Sequence, residues 1–179
     1  MPTLAVLLAV VTTLLAVALG IALRRTSAAW LRFRGQRVVV CPENQRGAGV
    51  RVDAVHAAFT AWTGSPQLRL SGCSRWPARG SCGQECVRQI EAAPRDCLVR
   101  RILAQWYEGK TCARCSAPIG EVYWAGTQPV LLVSDGAMKQ WNQIPPEELR
   151  AALDTARPVC FHCYLMECAS PRQAKTAVS

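Results

Sequence analysis

The chain has 179 residues, with ten cysteines, only two histidines and a formal net charge of +9. This length leaves room for one modest domain besides a membrane anchor. The sequence contains no P-loop, no G-x-S-x-G and no H-E-x-x-H pattern, which argues against the nucleotide-dependent, serine-hydrolase and metalloprotease chemistries that those patterns mark. The sequence therefore offers no catalytic residue and favours a binding protein over an enzyme.

Residues Thr3 to Leu23 form an apolar run without a charged side chain. A helix of this length spans about 31 Å, enough to cross the hydrocarbon core of a bilayer. No Lys or Arg precedes the run, which is longer than the apolar region of a signal peptide and is not followed by a small-x-small cleavage site. We therefore expect residues 1–24 to be a retained transmembrane anchor, with residues 3–23 inside the bilayer.

Arginines follow the apolar run, with Trp30 among them at a plausible headgroup depth. They are Arg24, Arg25, Arg32, Arg34 and Arg37. Positive charge on this flank predicts a single-pass protein of the cell inner membrane whose C-terminal domain is cytoplasmic. Subtracting these five from the 21 basic residues leaves 16 against 12 acidic ones, a net charge of +4. Anionic headgroups therefore explain the basic character better than nucleic acid, which is not an expected partner.

Residues 25–37 are predicted to be a basic juxtamembrane linker, which could continue the helix. A cysteine-rich α/β subdomain is then predicted over residues 38–109. It opens on a β-rich run that begins at Arg37 and is broken by Pro42.

The pattern changes from strand to helix after residue 50. Val50 and Val52 alternate as in a strand, and then Val55, Phe59 and Trp62 fall on or near one face of a helix. A strand is expected at residues 68–70 and a loop rich in Gly, Pro, Ser and Cys over 71–83. A short helix over 84–92 should stop before Pro94.

The next predicted helix has Asp96 as its N-cap and ends at Gly109. Leu98, Ile102 and Trp106 form its apolar stripe, because their spacing places them on one side of a helix.

Two C-x-x-C pairs mark the C-terminal half: Cys112-Ala-Arg-Cys115 and Cys160-Phe-His-Cys163. Four thiolates can occupy the corners of a tetrahedron about 2.3 Å from a metal ion, which is the geometry of structural zinc. The 44 residues between the pairs exceed the usual spacing of about 15–20, so an inserted substructure has to bring the pairs together. These four cysteines are the predicted zinc ligands of site 1, in a zinc-ribbon-like subdomain over residues 110–169.

The inserted segment predicts a hairpin and a helix. Residues 121–124 should pair with residues 129–134, with a turn at Asp135-Gly136, and the helix should run from about Pro146 to Thr155. Residues 170–179 are expected to be a disordered tail. The aromatic residues are expected to fill a small core around the metal: Trp76, Trp106, Tyr107, Tyr123, Trp124 and Trp141.

The meaning of the cysteines depends on the compartment. In a reducing cytoplasm they indicate metal, whereas outside the cell they would indicate disulfides. The cytoplasmic orientation and the metal prediction therefore depend on each other.

A second site is predicted from Cys41, Cys73, Cys82 and Cys86. They could bind a second zinc ion or an iron–sulfur cluster, whose protein ligands are also thiolates. Alternatively, some of them are small buried apolar residues, as cysteine often is. Cys97 and Cys168 are the least expected to bind metal.

The Cys160-Phe-His-Cys163 pair is also compatible with a redox-active dithiol. Such a pair needs a preceding buried strand and a helix N-terminus to lower the pKa of one thiol. The preceding residues, LRAALDTARP, predict helix and loop instead, and the second C-x-x-C pair makes metal the simpler interpretation. His162 is expected to be a bystander.

The C-terminal half resembles zinc-ribbon and treble-clef modules, in which a knuckle, a hairpin and a later C-x-x-C at a helix start surround one zinc. Here Gly120 follows the first pair, Pro158 precedes the second, and Tyr-Leu-Met-Glu follows it. The whole chain is similar to uncharacterised bacterial single-pass membrane proteins with a cysteine-rich C-terminal domain. The matching features are the anchor, Cys41-Pro-Glu, the Cys73-Ser-Arg-Trp-Pro stretch with Cys82 and Cys86, and the two knuckles. This resemblance implies no particular activity.

The predicted fold class is α+β: one transmembrane helix followed by a small metal-stapled domain with a zinc-ribbon- or treble-clef-like C-terminal half. The predicted function is a membrane-anchored zinc-binding accessory or protein-interaction module on the cytoplasmic face, with an unidentified protein partner. The alternative is a redox or electron-transfer protein with an iron–sulfur cluster or reactive C-x-x-C thiols.

Overall fold

A computed structural model describes residues 2–76, 78, 82–124 and 128–168. It has a long apolar N-terminal helix followed by a small domain of mixed helix and sheet with four clustered cysteines, which confirms the predicted fold class. The tail over 170–179 and part of the loop over 71–83 lie outside the described residues.

The described helices are α1 (Pro2–Phe33), α2 (Ala54–Thr60), α3 (Val87–Ala92), α4 (Val99–Tyr107), α5 (Leu149–Thr155) and α6 (Phe161–Cys168). The strands are β1 (Gln36–Val40), β2 (Gly47–Val52), β3 (Leu70–Cys73), β4 (Val130–Leu132), β5 (Met138–Gln140) and β6 (Arg157–Val159). They form two three-stranded sheets, ordered β1-β2-β3 and β5-β4-β6.

The chain divides into two compact units. The first contains Met1–Gln36 and Val50–Arg95, and the second contains Arg37–Gly49 and the chain from Asp96 onward. Strand β2 carries the chain from the second unit into the first. The subdomain boundary predicted between residues 109 and 110 falls inside the second unit.

In the first unit, α1 continues without a break to Phe33 and packs against α2. The buried positions of α1 are Ala22, Ala29 and Phe33, with Thr26 half-buried between them. These residues recur every three to four positions and therefore share one helical face. The first part of the predicted juxtamembrane linker is thus helical and belongs to the helix that packs against α2.

Helix α2 turns its small residues inward and its large apolar residues outward. Ala57 of the helix and Ala61 directly after it are buried, whereas Val55, Phe59 and, in the following turn, Trp62 are exposed. Alanine has a short side chain, which lets two helices approach closely. The predicted helix and its shared apolar face are present, but that face points to the exterior.

Asp53 fixes the start of α2. Its carboxylate accepts a hydrogen bond from the backbone N–H of His56 at 2.9 Å. It also forms an ion pair with the Arg69 guanidinium, with Nη2 at 2.7 Å. Both interactions favour the charged carboxylate, first the backbone donor and then the guanidinium, so the pKa of Asp53 lies below its usual value. The hydrogen bond between the Asp53 carboxylate and the His56 N–H therefore caps the N-terminus of α2.

The sheet β5-β4-β6 is the centre of the second unit. Strand β4 pairs antiparallel with both neighbours, and Leu131 lies opposite Lys139 on one side and Pro158 on the other. The β4–β5 hairpin closes at Asp135-Gly136, where Asp135 Oδ1 accepts from the Ala137 N–H at 2.8 Å. Gly136 adopts a φ of +81°, a left-handed conformation that glycine reaches without steric cost.

The predicted turn is confirmed, but the predicted strand pairing is wrong. Residues 121–124 form no strand, and the partner of β4 in the hairpin is β5, which follows the turn. The turn at Asp135-Gly136 closes β4 onto β5, and β6 pairs with the other edge of β4, so both of its edges are occupied by other strands.

The side chains of β4 alternate between two apolar clusters. Leu131 belongs to a larger cluster, which comprises Val38, Val99, Leu103, Tyr107, Leu131, Ile144, Leu149 and Leu153. Val130 and Leu132 belong to a smaller one with Cys112 and Val159. Neighbouring residues of a strand point to opposite faces, so β4 lies between the two clusters and contributes side chains to both.

Helix α4 begins later than predicted and turns a different face inward. Its N-cap is Leu98 rather than Asp96, and its fully buried residues are Val99, Leu103 and Tyr107. The predicted stripe at 98, 102 and 106 lies one residue away, or about 100° around the helix. Ile102 and Trp106 still pack at the edge of the larger cluster. The prediction therefore placed the centre of the buried face of α4 one residue too early. Gly109 follows the helix with a φ of +71°, as predicted.

Arg37 lies inside the second unit. Its relative exposure is 0%, and its backbone forms a bridge with Leu98. Burial lowers the pKa of the guanidinium, while the neighbouring Cys97 thiol raises it. The exterior flank of α1 therefore carries four of the five arginines counted from the sequence: Arg24, Arg25, Arg32 and Arg34.

Candidate metal centre

The first cysteine pair lies in a tight backbone loop. The N–H of Cys112 donates to Ala117 O at 2.8 Å, and the N–H of Ser116 donates back to Cys112 O at 2.9 Å. Ser116 adopts a φ of +58°, which reverses the chain directly after Cys115. This reversal lets both sulfurs of the pair face the same point.

The second cysteine pair lies where β6 ends and α6 begins. Cys160 directly follows Val159 of β6, and Cys163 is in the first turn of α6. The expectation that no strand precedes this pair is wrong, because residues 157–159 pair with β4. This correction removes one argument against a redox-active dithiol, and the convergence of all four sulfurs becomes the deciding observation.

Two backbone donors join the two pairs. The N–H of Ala113 donates to Pro158 O at 2.8 Å, and the N–H of Cys160 donates to Cys112 Sγ at 3.3 Å. Further N–H···S contacts reach Cys112 Sγ from Arg114 and Cys160 Sγ from Cys163, each at 3.4 Å. N–H groups aimed at sulfur favour the thiolate, which is the form that binds metal.

The sulfurs of Cys112, Cys115, Cys160 and Cys163 all lie within 4.8 Å of one another. The Cys115 and Cys160 sulfurs are 3.7 Å apart. A regular tetrahedron with metal–sulfur bonds of about 2.3 Å has sulfur–sulfur edges of about 3.8 Å, whereas a disulfide bond measures about 2.05 Å. The donor set therefore fits a single four-coordinate metal ion.

The thiol pKa values reflect the crowding of the four sulfurs. Burial raises the pKa of Cys112, but the N–H donors of Cys160, Cys115 and Arg114 outweigh it and bring the value to about 6. The pKa of Cys163 is raised to about 12, first by its contact with the Cys160 sulfur, and burial raises that of Cys160. One thiolate thus forms readily and disfavours the others, a penalty that a bound cation would remove.

The smaller apolar cluster surrounds the cysteines. Cys160, Cys163, Phe161 and Tyr164 pack at its edge, and Tyr164 Oη accepts a hydrogen bond from Gln140 Nε2 at 3.2 Å. The aromatic residues expected around the metal are placed differently.

Trp106, Tyr107, Trp124 and Trp141 belong to the larger cluster or pack against it. Tyr123 is 67% exposed, and Trp76 lies half-buried in the first unit.

The cysteines of the predicted second site are distributed over both units. Cys41 follows β1 in the second unit, whereas Cys73, Cys82 and Cys86 belong to the first. Within the part of the chain that the structure describes, site 1 is the group of three or more potential metal ligands whose ligand atoms come together. The second site stays a prediction.

The remaining candidate residues lie outside the four-sulfur group. His162 is exposed in the first turn of α6. Cys168 is exposed on the same helix, and Cys97 is buried beside Arg37. Burial raises the pKa of the Cys97 thiol, although the Arg37 guanidinium opposes this shift.

Comparisons with protein-family models, with curated proteins and with solved structures found no match to this chain. The site is therefore interpreted from its own geometry.

Sequence reasoning missed the groups that connect the two knuckles. The Pro158 carbonyl and the Ala113 N–H carry this connection, and both are backbone atoms. The available signal was Pro158 itself, because proline within a short strand is restricted to an edge position. The left-handed Ser116 had no signal, since glycine is the residue that usually indicates such a conformation.

Proposed function

We propose that this protein is a membrane-anchored zinc-binding module, located at the cytoplasmic face of the cell inner membrane, that serves as an accessory or protein-interaction domain. The observation that carries the proposal is the convergence of four cysteine sulfurs within 4.8 Å in a chain that also has an exposed apolar helix. Its likeness to bacterial single-pass membrane proteins with a zinc-ribbon-like domain belongs to the same proposal.

Zinc is the metal that best fits the donor set. Tetrahedral sites with four sulfur ligands are typical of zinc and of iron–sulfur centres. A cluster places several metal ions among its ligands and therefore needs some thiolates farther apart than a single ion does. The distances of 3.7 and at most 4.8 Å between sulfurs favour a single ion. A closed four-thiolate site leaves no position for a substrate, which supports a structural role over catalysis.

The apolar part of α1 supports the anchor. Residues 3–21 of this helix carry no charged side chain and are exposed. An exposed apolar helix of this length is costly in water and stable in a bilayer. The exterior arginines at 24, 25, 32 and 34 support the cytoplasmic orientation of the following domain.

A surface cleft offers a place for a protein partner. It lies between the second half of α4 and residues 119–122, has a volume of about 440 Å³, and is lined by both charged and apolar side chains, including Arg101, Glu121 and Val122. Ile119 contributes to this cleft and also packs against the cluster around the cysteines, so the metal centre supports one wall.

Metal analysis of the full chain, purified in detergent with and without oxygen, tests the proposed centre. We expect a colourless protein with bound zinc and a loss of one zinc per chain in Cys115→Ser and in Cys163→Ser. Cys168→Ser is the matched control, because this cysteine lies on α6 outside the four-sulfur group, and it should retain the metal. Unchanged zinc content in both ligand variants would contradict the assignment.

The same preparation tests the redox alternative. An iron–sulfur cluster would give visible absorbance and acid-labile sulfide in the anaerobic sample, and reactive thiols would give a reversible two-electron oxidation. Either result, with no zinc bound at the four cysteines, would replace the zinc proposal by an electron-transfer or redox function.

The second site adds a separate proposal with its own readout. If Cys41, Cys73, Cys82 and Cys86 bind metal, the chain carries two metals and Cys82→Ser removes one of them while sparing the other. A single zinc per chain, with these thiols titratable after mild unfolding, would identify them as buried cysteines.

Reporter fusions test the orientation. A C-terminal reporter that works only in the cytoplasm should be active, and moving Arg24, Arg25, Arg32 and Arg34 to the other end of the apolar run should invert it. Arg37 is kept in place because it is buried in the second unit. Labelling of the native cysteines by a membrane-impermeant reagent in intact cells would count against the proposal.

A further inference from the structure

The outer face of α2 is apolar and uncharged. Val55 and Phe59 of α2, and Trp62 in the turn that follows it, are 70%, 79% and 45% exposed. The spacing of four residues places the first two on one side of the helix, and the Trp62 N–H donates to Phe59 O at 3.2 Å, which keeps Trp62 next to Phe59. Residues 54–68 contain no Asp, Glu, Lys or Arg. A helix that faces water usually carries polar and charged residues on its outer side, so this face is suited to a less polar environment.

The packing of α1 determines where α2 lies along the helix axis. The buried face of α1 begins at Ala22, which is still within the apolar run, and ends at Phe33. These positions cover about 16 Å of helix axis. If Thr3–Leu23 fills the hydrocarbon core, this stretch starts at the edge of that core and crosses the headgroup layer, which is about 5–8 Å thick on each side. The part of α1 that is buried on the side of α2 therefore includes headgroup depth.

Four arginines lie in α1 or directly after its end at Phe33. Arg24, Arg25, Arg32 and Arg34 are exposed, and the Arg34 guanidinium lies 4.7 Å from the centre of the Trp30 ring. Arginine attracts anionic headgroups, and tryptophan favours the membrane–water interface. The exterior of α1 thus supplies electrostatic contact with the membrane surface, while α2 supplies apolar side chains at the same depth.

We propose that the face formed by Val55, Phe59 and Trp62 inserts into the interfacial layer of the leaflet that α1 leaves. The inference rests on the proposed anchoring of α1, and its occupant is the bilayer itself, between anionic headgroups and the first part of the acyl chains. An amphipathic helix can lie in this layer with its apolar side buried. The first unit then contacts the membrane at two places, α1 and α2, which fixes its orientation on the surface.

Fluorescence of the full chain in vesicles tests this contact. The vesicles contain phosphatidylcholine and phosphatidylglycerol, with or without bromine on the acyl chains, and the difference between the wild type and Trp62→Phe isolates the Trp62 signal. We expect brominated lipid to quench most of that signal. In Phe59→Asp most of the Trp62 fluorescence should remain in brominated vesicles, because a charge opposes insertion of this face. In the matched Phe59→Leu the Trp62 fluorescence should stay quenched.

Alkaline extraction of the same vesicles separates this inference from the anchor. A chain that resists extraction but whose Trp62 is not quenched by brominated lipid overturns the α2 contact and leaves the anchor intact. In that case accessibility of Trp62 to iodide indicates solvent, and protection from iodide indicates a protein partner or a second copy. A chain that alkali releases overturns the anchor, and the α2 contact with it.

Discussion

The two faces of β4 are stabilised by different interactions. Leu131 packs into the larger cluster, which brings together strands, α4 and α5 and is bordered by tryptophans. Val130 and Leu132 pack into the smaller cluster, which contains Cys112 and is bordered by Cys160 and Cys163. A small apolar cluster stabilises little by burial alone and commonly depends on metal or disulfides. One strand therefore joins a layer held by burial to a layer that depends on the proposed metal.

Removing a metal ligand should give the largest effect, and it should act on one side of β4. We expect Cys160→Ser to abolish tight metal binding and to disorder the layer formed by residues 110–119 and 157–168. The energy at stake is on the order of 10 kcal/mol, the scale on which structural zinc couples to folding. Hydrogen exchange checks this by comparing the amides of these segments with those of α4.

Cys168→Ser is the control for this experiment and should preserve both metal and protection. If Cys160→Ser kept its zinc stoichiometry and its protected amides, the layer that contains the cysteines would not depend on the proposed metal.

Truncation of the two faces should separate stability from metal affinity. Leu131→Ala and Leu132→Ala each leave a cavity at a buried position, and such changes typically cost about 2–5 kcal/mol of unfolding free energy. Only Leu132→Ala, on the side of the cysteines, should also weaken zinc binding by the folded protein. Denaturant titration and metal competition measure the two quantities, and equal zinc affinity in both variants would refute the division.

Tyr107 connects the two layers by a single hydrogen bond. Its hydroxyl donates to the carbonyl of Val130 from within the larger cluster, and burial raises its pKa above the usual value. We expect Tyr107→Phe to lower the unfolding free energy by about 1 kcal/mol, the usual net contribution of such a bond. Tyr123→Phe, at an exposed tyrosine, should change it less, and a larger loss there would contradict this account.

A local change in the first knuckle should stabilise the metal layer slightly. Ser116 has a φ of +58°, a conformation that costs non-glycine residues about 1–2 kcal/mol. Ser116→Gly should therefore raise the midpoint of thermal unfolding by an amount equivalent to about 1 kcal/mol, while Ser134→Gly, at a turn residue whose own φ is not positive, should not. A decrease in Ser116→Gly would show that the serine side chain stabilises the knuckle.

The features that the sequence predicted correctly depend on local chemistry. The closeness of the four cysteines of site 1 was predicted because metal ligation requires particular residue types at short spacing, and the structure brings their sulfurs together; their role as ligands stays a prediction. The turn at Asp135-Gly136 and the end of α4 at Gly109 were identified because glycine marks left-handed backbone. In each case the reason lies within a few residues of the feature.

The features that were predicted wrongly depend on distant contacts. Strand β6 has three residues with Pro158 at its centre, too short for an alternating pattern, and it exists because β4 pairs with it. Arg37 was counted as a surface charge, but its position is set by packing in the second unit. The sequence also did not indicate that the face with Phe59 points outward, which accompanies the burial of Ala57 on the other side of α2. Local propensity carries no information about any of these partners.

Pro158 has a consequence for how this protein avoids self-association. Strand β6 is at the edge of its sheet, and such edges can recruit strands from other molecules. The N and O atoms of one strand residue point to the same side, and the Pro158 carbonyl is directed away from β4, toward Ala113. The missing N–H of proline therefore falls on the open edge, and the carbonyl beside it is already bonded. An incoming strand would find neither a donor nor an available acceptor there, so this edge resists amyloid-like pairing as long as the first knuckle stays folded against it.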